Sequence, residues 1–307
     1  MFVTKPRLFF DYALRNRFAF PSFNVCNLEI ARSVIAAAEA EDAPVMLQSY
    51  FGDLYYGDLD VFPQLLRILA ENSRVPVLVH QDHPDSPEMV LRTLRRGYYS
   101  VMYDGAHLPL EENIKGAAYI AKIAHVMGAA VEAELGTFGG ETEGGDIVKA
   151  SPQEAKRLVE ESGVDTLAVS VGSVHGQSSR LDLSLLEKVA NETPVPLVLH
   201  GGSGIHPDDL RAGIPMNVVK VNIGADVFRA WMTGIKEGVQ LDSAHSHEPP
   251  HYMMMNHASK KVTDVARAKL SLMGASSHAK PLLRVLEDEK ADLKAISVSP
   301  LSAHSIP

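Results

Sequence analysis

Eight short apolar runs, each followed by a helical pattern, constrain this chain more than any other feature. FAFPSFNV (18–25) precedes LEIARSVIAAAEAED, and PVMLQS (44–49) precedes a helical pattern near 60–72. VPVLVH (75–80) precedes PEMVLRTLRRG, and YYSVMYD (98–104) precedes LEENIKGAAYIAKIAHVMG. AAVEAEL (129–135) leads through a glycine-rich loop into SPQEAKRLVEESG, and DTLAVSV (165–171) precedes LDLSLLEKVANET. VPLVLH (195–200) precedes HPDDLRAG, and NVVKVNI (217–223) precedes ADVFRAWMTGIKEG. The runs are continuously apolar rather than alternating, as strands buried on both faces should be. Eight such units predict an α/β chain folded as a (β/α)8 TIM barrel over about residues 18–240. A doubly wound open sheet would need a glycine-rich turn after the first strand, and NVCNLE is not one.

Around the barrel we expect an N-terminal capping helix over 4–16 and a C-terminal helical extension, with helices near 257–273 and 278–290. The segment DSAHSHEPPHYMMMNH (242–257) reads as an irregular connection, and the end from about Ser297 as a frayed terminus. The whole chain, 1–307, reads as one domain. Ser151, with Pro152 and Glu154 after it, marks a helix start.

Composition narrows the function. Hydrophobic residues make up 46% and charged residues 22%, and the net charge is −9. An acidic chain gains nothing from counterion release, so nucleic acid is not an expected partner. No run approaches membrane-spanning length, and MFVTKPRLFFDYALRNRF mixes charges into its apolar residues, unlike a signal peptide. Cys26 is the only cysteine, which excludes an internal disulfide. These features point to a cytoplasmic protein.

Barrel active sites lie at the C-terminal ends of the strands. There this chain places Asn24, then Gln48, Ser49 and Tyr50, then His80, Asp82 and His83, then Asp104 and His107, Glu132 and Glu134, His175, His200 and Asn222. The opposite ends carry mostly Pro, Gly and Ser. His83, His175 and His200 would face one mouth, and three neutral imidazoles with an open fourth position suit a catalytic zinc ion. Asp82, beside His83, is placed to move a proton while a metal holds a carbonyl. His80 reads as support rather than ligand. Glu132 and Glu134 share one face of strand 5, so one is a further metal ligand or both pair with Lys220 or arginines. HGGSG (200–204) and HG (175–176) are glycine loops where barrels bind phosphate, with Ser203 adding a hydroxyl. GTFGGETEGGD (136–146) reads as a mobile loop that brings Glu141 or Glu143 to the site. His245, His247, His251 and His257 read as surface residues rather than as a second metal site.

In FNVCNLE, LVHQDH, SVMYDGAHLPLEENI, VEAELGTFGGE, DTLAVSVGSVHGQ, LVLHGGSGI and VKVNI the chain resembles the class II, zinc-dependent ketose-phosphate aldolases, the group of fructose-bisphosphate and tagatose-bisphosphate aldolases. The resemblance implies that His83, His175 and His200 bind zinc, with Glu134 near the metal and Asp104 at a secondary metal position. It implies that Asp82 is the acid/base at the hydroxyl of the carbon–carbon bond being broken. Gly176, Gly201, Ser203 and Asn222 match positions that hold a dihydroxyacetone-phosphate moiety. Asn24 and Asp226 complete the candidate substrate-binding set. A monovalent cation at the glycine-loop carbonyls and assembly as a homodimer or homotetramer follow from the same resemblance. The implied reaction is retro-aldol cleavage of a ketose phosphate through a zinc-stabilised enediolate, with a small-molecule sugar phosphate as partner.

Four departures point to a divergent member rather than a glycolytic fructose-bisphosphate aldolase. Thr142 stands where the family's loop glutamate belongs, flanked by Glu141 and Glu143. Tyr50 replaces a serine at the ketose end. Gly224, Ala225 and Asp226 stand where a phosphate-binding hydroxyl is usual, and HYMMMNHASKK lacks the arginine used for a distal phosphate. The alternatives are a metal-dependent sugar-phosphate epimerase or isomerase, and a non-catalytic sugar-phosphate-binding homologue.

Overall fold

The computed structural model describes residues 1–138, 147–241 and 249–297, with side chains as far as Asp288. The strands are β1 (Phe20–Asn24), β2 (Val45–Tyr50), β3 (Val77–Asp82), β4 (Ser100–Tyr103), β5 (Ala130–Leu135), β6 (Thr166–Val169), β7 (Leu197–Leu199) and β8 (Val218–Ile223). Each pairs in parallel with the next, and β8 returns to β1, with Phe20 opposite Lys220 and Phe23 opposite Ile223. The barrel is therefore closed, which disposes of the open-sheet alternative. Almost every strand residue is buried, and this is why the runs read as continuously apolar.

The helices are α1 (Pro6–Asn16), α2 (Leu28–Ala40), α3 (Phe51–Tyr56), α4 (Phe62–Asn72), α5 (Pro87–Arg95), α6 (Leu110–Val126), α7 (Pro152–Ser162), α8 (Leu183–Glu192), α9 (Pro207–Gly213), α10 (Ala225–Gly238), α11 (Pro250–Leu272) and α12 (Ala279–Ser297). Their starts follow local chemistry. Ser86 accepts the N–H of Met89 ahead of α5, and Ser151 accepts that of Glu154 ahead of α7, with Pro87 and Pro152 opening the two helices. α1 closes the bottom of the barrel by burying Phe9, Phe10 and Ala13, and the Phe9 ring stacks on Phe20 at 3.7 Å. Each such aromatic side chain contributes about 1.5–3 kcal/mol by leaving water.

Two stretches differ from the sequence expectation. The segment read as irregular up to residue 257 is helical from Pro250. Pro250 is tolerated in the first turn, and HYMMMNHASKK has no further Pro or Gly to stop a helix. α11 then buries Ala258, Val262, Ala266 and Leu270 in the core shared with the barrel. The second is α3, a single short helix directly after β2. Its six residues include Gly52, too few for a periodic signal.

Candidate active site

A cleft of about 470 Å³ opens at the C-terminal ends of the strands, lined by residues from β1, β2, β3 and β8 and from the loops that follow β3, β4, β6 and β7. β3 runs to Asp82, and the chain then reverses sharply. His83 has φ +36°, a left-handed conformation uncommon for a side chain with Cβ. The turn is held by the His83 N–H, which donates to Met102 Sδ at 3.4 Å, and by its ring, whose Nδ1 donates to Asp104 at 2.8 Å. Locally strained residues persist where the surroundings over-determine them, often at functional sites.

His200 directly follows β7 with no exposed surface, and its Nε2 donates to Glu132 at 2.9 Å. That bond leaves Nδ1 facing the cleft, 3.1 Å from His83 Nε2 and 3.2 Å from a Glu134 oxygen. Two imidazole nitrogens and a carboxylate oxygen this close need a shared cation, which is the His83 proton or a metal ion that replaces it. His175, in the loop after β6, completes the group: ligand atoms of His83, His175 and His200 all lie within 4.8 Å of one another. Nitrogens on one tetrahedral zinc at about 2.0–2.1 Å would stand about 3.3–3.4 Å apart. The donor set therefore fits a divalent metal. His83, Asp104 and Glu134 form a second, overlapping group of the same dimensions. Phe138 stacks on His175 at 5.4 Å and on His200 at 5.1 Å, giving both imidazoles a common apolar wall.

The electrostatics agree with this arrangement. Burial, helped by the charge of His83, pushes His175 down to about 4 and His200 well below its ordinary range. Both are therefore neutral ligands at neutral pH. Burial opposes the charged form of His83 too, but Asp82, Asp104 and Glu134 outweigh it and hold its pKa well above the usual value. Asp104 is lowered to about 2, since the hydrogen bond and charge of His83 overcome its burial.

Asp82 is 4% exposed and sits in a cradle of side-chain amides. Asn222 donates to Oδ1 at 2.9 Å, and Gln48 and Asn24 donate to Oδ2 at 2.9 and 3.4 Å. Gln48 also donates to Asn24 at 2.8 Å, while Ser22 donates to Gln48. Four strands thus aim one carboxylate at the cleft.

The two glutamates of β5 divide their work. Glu134 faces the imidazoles, whereas Glu132 lies deeper and receives the buried Lys220 ammonium at 2.8 and 3.1 Å. His80 stays behind the site as expected, bonded through Nδ1 to Ser100 at 2.8 Å, and burial keeps it neutral. Lys220→Met is expected to cost about 3–5 kcal/mol, because it strands the Glu132 charge in the barrel. Urea unfolding measures this, and the double variant with Glu132→Gln should recover part of the loss. Unchanged stability of the single variant would refute the pairing as a structural element.

The glycine loops are built as loops must be. Gly176 has φ +73° and Gly201 φ +69°, and a Cβ on Gly201 would come within 2.9 Å of the Val174 carbonyl oxygen. Ser203 lines the cleft and accepts the N–H of Asp226 at 3.1 Å, so its own hydroxyl proton is available to a ligand. The Asp226 carboxylate is not brought to the cleft: Arg229 and Lys269 each hold it at 2.7 Å. Asp226 serves the site through its backbone. Glu141 and Glu143 lie outside the described residues, as do His245 and His247. His107 is exposed, His251 lies tilted against Tyr252, and His257 pairs with Glu237 at 2.9 Å. Among the described residues these do not gather into a metal site. Three contributors escaped sequence reasoning. Gln48 was visible at a strand mouth but had no role until its bond to Asp82 was seen. Phe138 and Asp53 lie in loop and short-helix positions that leave no periodic signal.

Comparison with known proteins gives the same picture. A family model described as fructose-bisphosphate aldolase class-II matches residues 5–278. A fructose-bisphosphate aldolase of Streptococcus pyogenes is 39% identical over 258 residues, covering 81% of this chain and 87% of the relative. One from Staphylococcus epidermidis is 33% identical over 277 residues, covering 87% of this chain and 96% of the relative. The crystal structure of the YdjI aldolase from Escherichia coli K12 superposes with a TM-score of 0.80 at 30% identity, over 91% of this chain and all of that one. Among the described residues no helix is long and apolar enough to cross a membrane. The chain belongs to the class II fructose-bisphosphate aldolase family, and it is a metal-dependent aldolase on a (β/α)8 barrel.

Proposed function

We propose that the enzyme cleaves a ketose phosphate reversibly into a dihydroxyacetone-phosphate-type product and an aldehyde, with zinc as its metal. The observation that carries this reading is the juxtaposition of three imidazoles, with ligand atoms within 4.8 Å of one another, and a carboxylate fixed by three amides. His83, His175 and His200 would hold the ion, with Glu134 and Asp104 beside it. When bound, zinc supplies Lewis-acid stabilisation of the negative charge that develops on the substrate oxygens. Asp82 takes the proton from the hydroxyl at the bond that breaks and returns it in the reverse direction.

The phosphate sits over Gly176, Gly201 and Ser203 at the N-terminus of α10. Gly224 and Ala225 line the cleft there, and the helix dipole favours an anion. Asn24 and Asn222 act by orienting Asp82, and Asp226 by holding Ser203. The glycine-loop carbonyls are the place for a monovalent cation, and Glu141 or Glu143 for a loop carboxylate. The docking of α11 into the barrel core supports one domain over 1–307. A single cysteine suits the reducing cytoplasm. The family resemblance supports a homodimer or homotetramer.

Metal analysis combined with a retro-aldol assay on ketose phosphates tests the reading. The purified protein should retain zinc and release triose phosphate. Protein that takes up no divalent metal, or that consumes substrate without yielding a shorter product, would refute it.

A further inference from the structure

One wall of the cleft is used neither by the metal-centred residues nor by the phosphate loops. It lies at the corner where β2 turns straight into α3, and Phe228 of α10 lines the same cleft. The Tyr50 and Phe51 rings lie 4.1 Å apart, tilted by 43°. The Asp53 carboxylate accepts the Tyr50 N–H at 3.1 Å, which fixes the corner, and it also lines the cleft. Burial, reinforced by the charge of Asp82, pushes its carboxyl up to about 7.

The charge of this wall decides what it can take. Among the described residues lining the cleft there is no Lys or Arg, whereas Asp53, Asp82 and Asp104 are all acids. The segments 139–146 (GGETEGGD), 242–248 (DSAHSHE) and 298–307 contain no Lys or Arg either, and the lysines past Asp288, Lys290 and Lys294, belong to α12, the helix that packs on α1. A phosphate placed against this wall would meet carboxylates and aromatic faces of negative potential, with no cation to replace its water. A polyhydroxylated tail has the opposite fit. Its C–H faces pack on the rings, and its hydroxyls donate to a carboxylate.

We propose that the β2–α3 corner selects the aldehyde half of the substrate: Tyr50, Phe51 and Phe228 take its carbon face, Asp53 accepts a hydrogen bond from one of its hydroxyls, and the aldehyde accepted is hydroxylated and uncharged rather than phosphorylated. This rests on the aldolase reading above, with the phosphate of the other half at the glycine loops.

The test condenses dihydroxyacetone phosphate with D-glyceraldehyde, D-glyceraldehyde 3-phosphate or propanal, using the zinc-loaded enzyme and its Asp53→Asn variant. The wild type should use glyceraldehyde at least about tenfold more efficiently than either its phosphate or propanal. Asp53→Asn should shrink both preferences about tenfold, through a higher KM for glyceraldehyde. Each preference is a ratio within one protein, so a partly unfolded variant does not imitate the effect. If the variant does not fold, the wild-type ratios alone decide. Equal or better use of the phosphorylated aldehyde by the wild type overturns the proposal, and so does a variant that keeps both wild-type ratios. Exchange of the dihydroxyacetone-phosphate C–H with deuterated solvent needs no aldehyde and separates the two levels. Exchange with the wrong aldehyde preference overturns the corner's role alone; no exchange and no product overturn the proposed function and the corner's role together.

Discussion

Asp82→Asn is expected to lower carbon–carbon cleavage by about 10²–10⁴-fold while the protein keeps its metal. The carboxylate is neither exposed nor among the converging imidazole nitrogens, so its loss leaves the metal ligands in place. The substitution is nearly isosteric, but the cradle distinguishes acid from amide. Both oxygens of Asp82 accept: Oδ1 from Asn222, Oδ2 from Gln48 and Asn24. An asparagine must turn its NH2 toward a donor on one side, whichever way it flips, at a local cost of about 1–3 kcal/mol. The cradle thus requires a group that accepts on both sides, which is what a base needs before it takes a proton. Because Asp82 would act on the hydroxyl of the breaking bond, cleavage should fall much further than solvent exchange of the dihydroxyacetone-phosphate C–H. The measurements are single-turnover cleavage, deuterium exchange and zinc content on one preparation. Cleavage at the wild-type rate would remove Asp82 from the chemistry.

The barrel and the position of the site were legible in the sequence because both rest on repetition. Eight doubly buried strands produce eight apolar runs, and polar residues gather at the same end of each. His83, His175 and His200 could be placed at one mouth because each follows the C-terminal end of a strand. What could not be read is pairwise. Glu132 and Glu134 share a face, and nothing in AVEAEL says that one meets Lys220 and His200 in the interior while the other meets the imidazoles. Asp226 stands where the resemblance places phosphate binding, but Lys269 arrives from α11, distant in sequence, and takes its carboxylate away from the cleft. Gln48 becomes informative only when β2 is set in register with β3, which puts it opposite His80, on the same face as Asp82 and two residues before it. The residue-by-residue roles at the metal came from the family resemblance, and the aromatic corner after β2 came from neither source.

His175→Ala is expected to abolish metal retention and, with it, turnover, at little cost to the fold. The three imidazoles are not equivalent in this respect. Removing His200 would also strand the Glu132 hydrogen bond inside the barrel, and removing His83 would release Asp104 and a left-handed turn. His175 sits in a loop between Val174 and the positive-φ Gly176, partly exposed, with Phe138 stacked on one face. Truncating it removes its stacking on Phe138, about 0.5–1.5 kcal/mol, together with its ring contacts to His83 and His200. Two of three nitrogens remain, too few to close a tetrahedral site around zinc with one open position. Ligand linkage makes this measurable without any assay of turnover. Zinc at a thousand times its Kd should stabilise the wild type by about 4 kcal/mol, and the variant should show almost none of that gain. Thermal unfolding with and without zinc, alongside elemental analysis, reads both. A variant that still carries a full complement of metal, or melts with the wild-type zinc dependence, would show that the ion is held by His83, Asp104 and Glu134 instead, the second group of ligands at the same mouth.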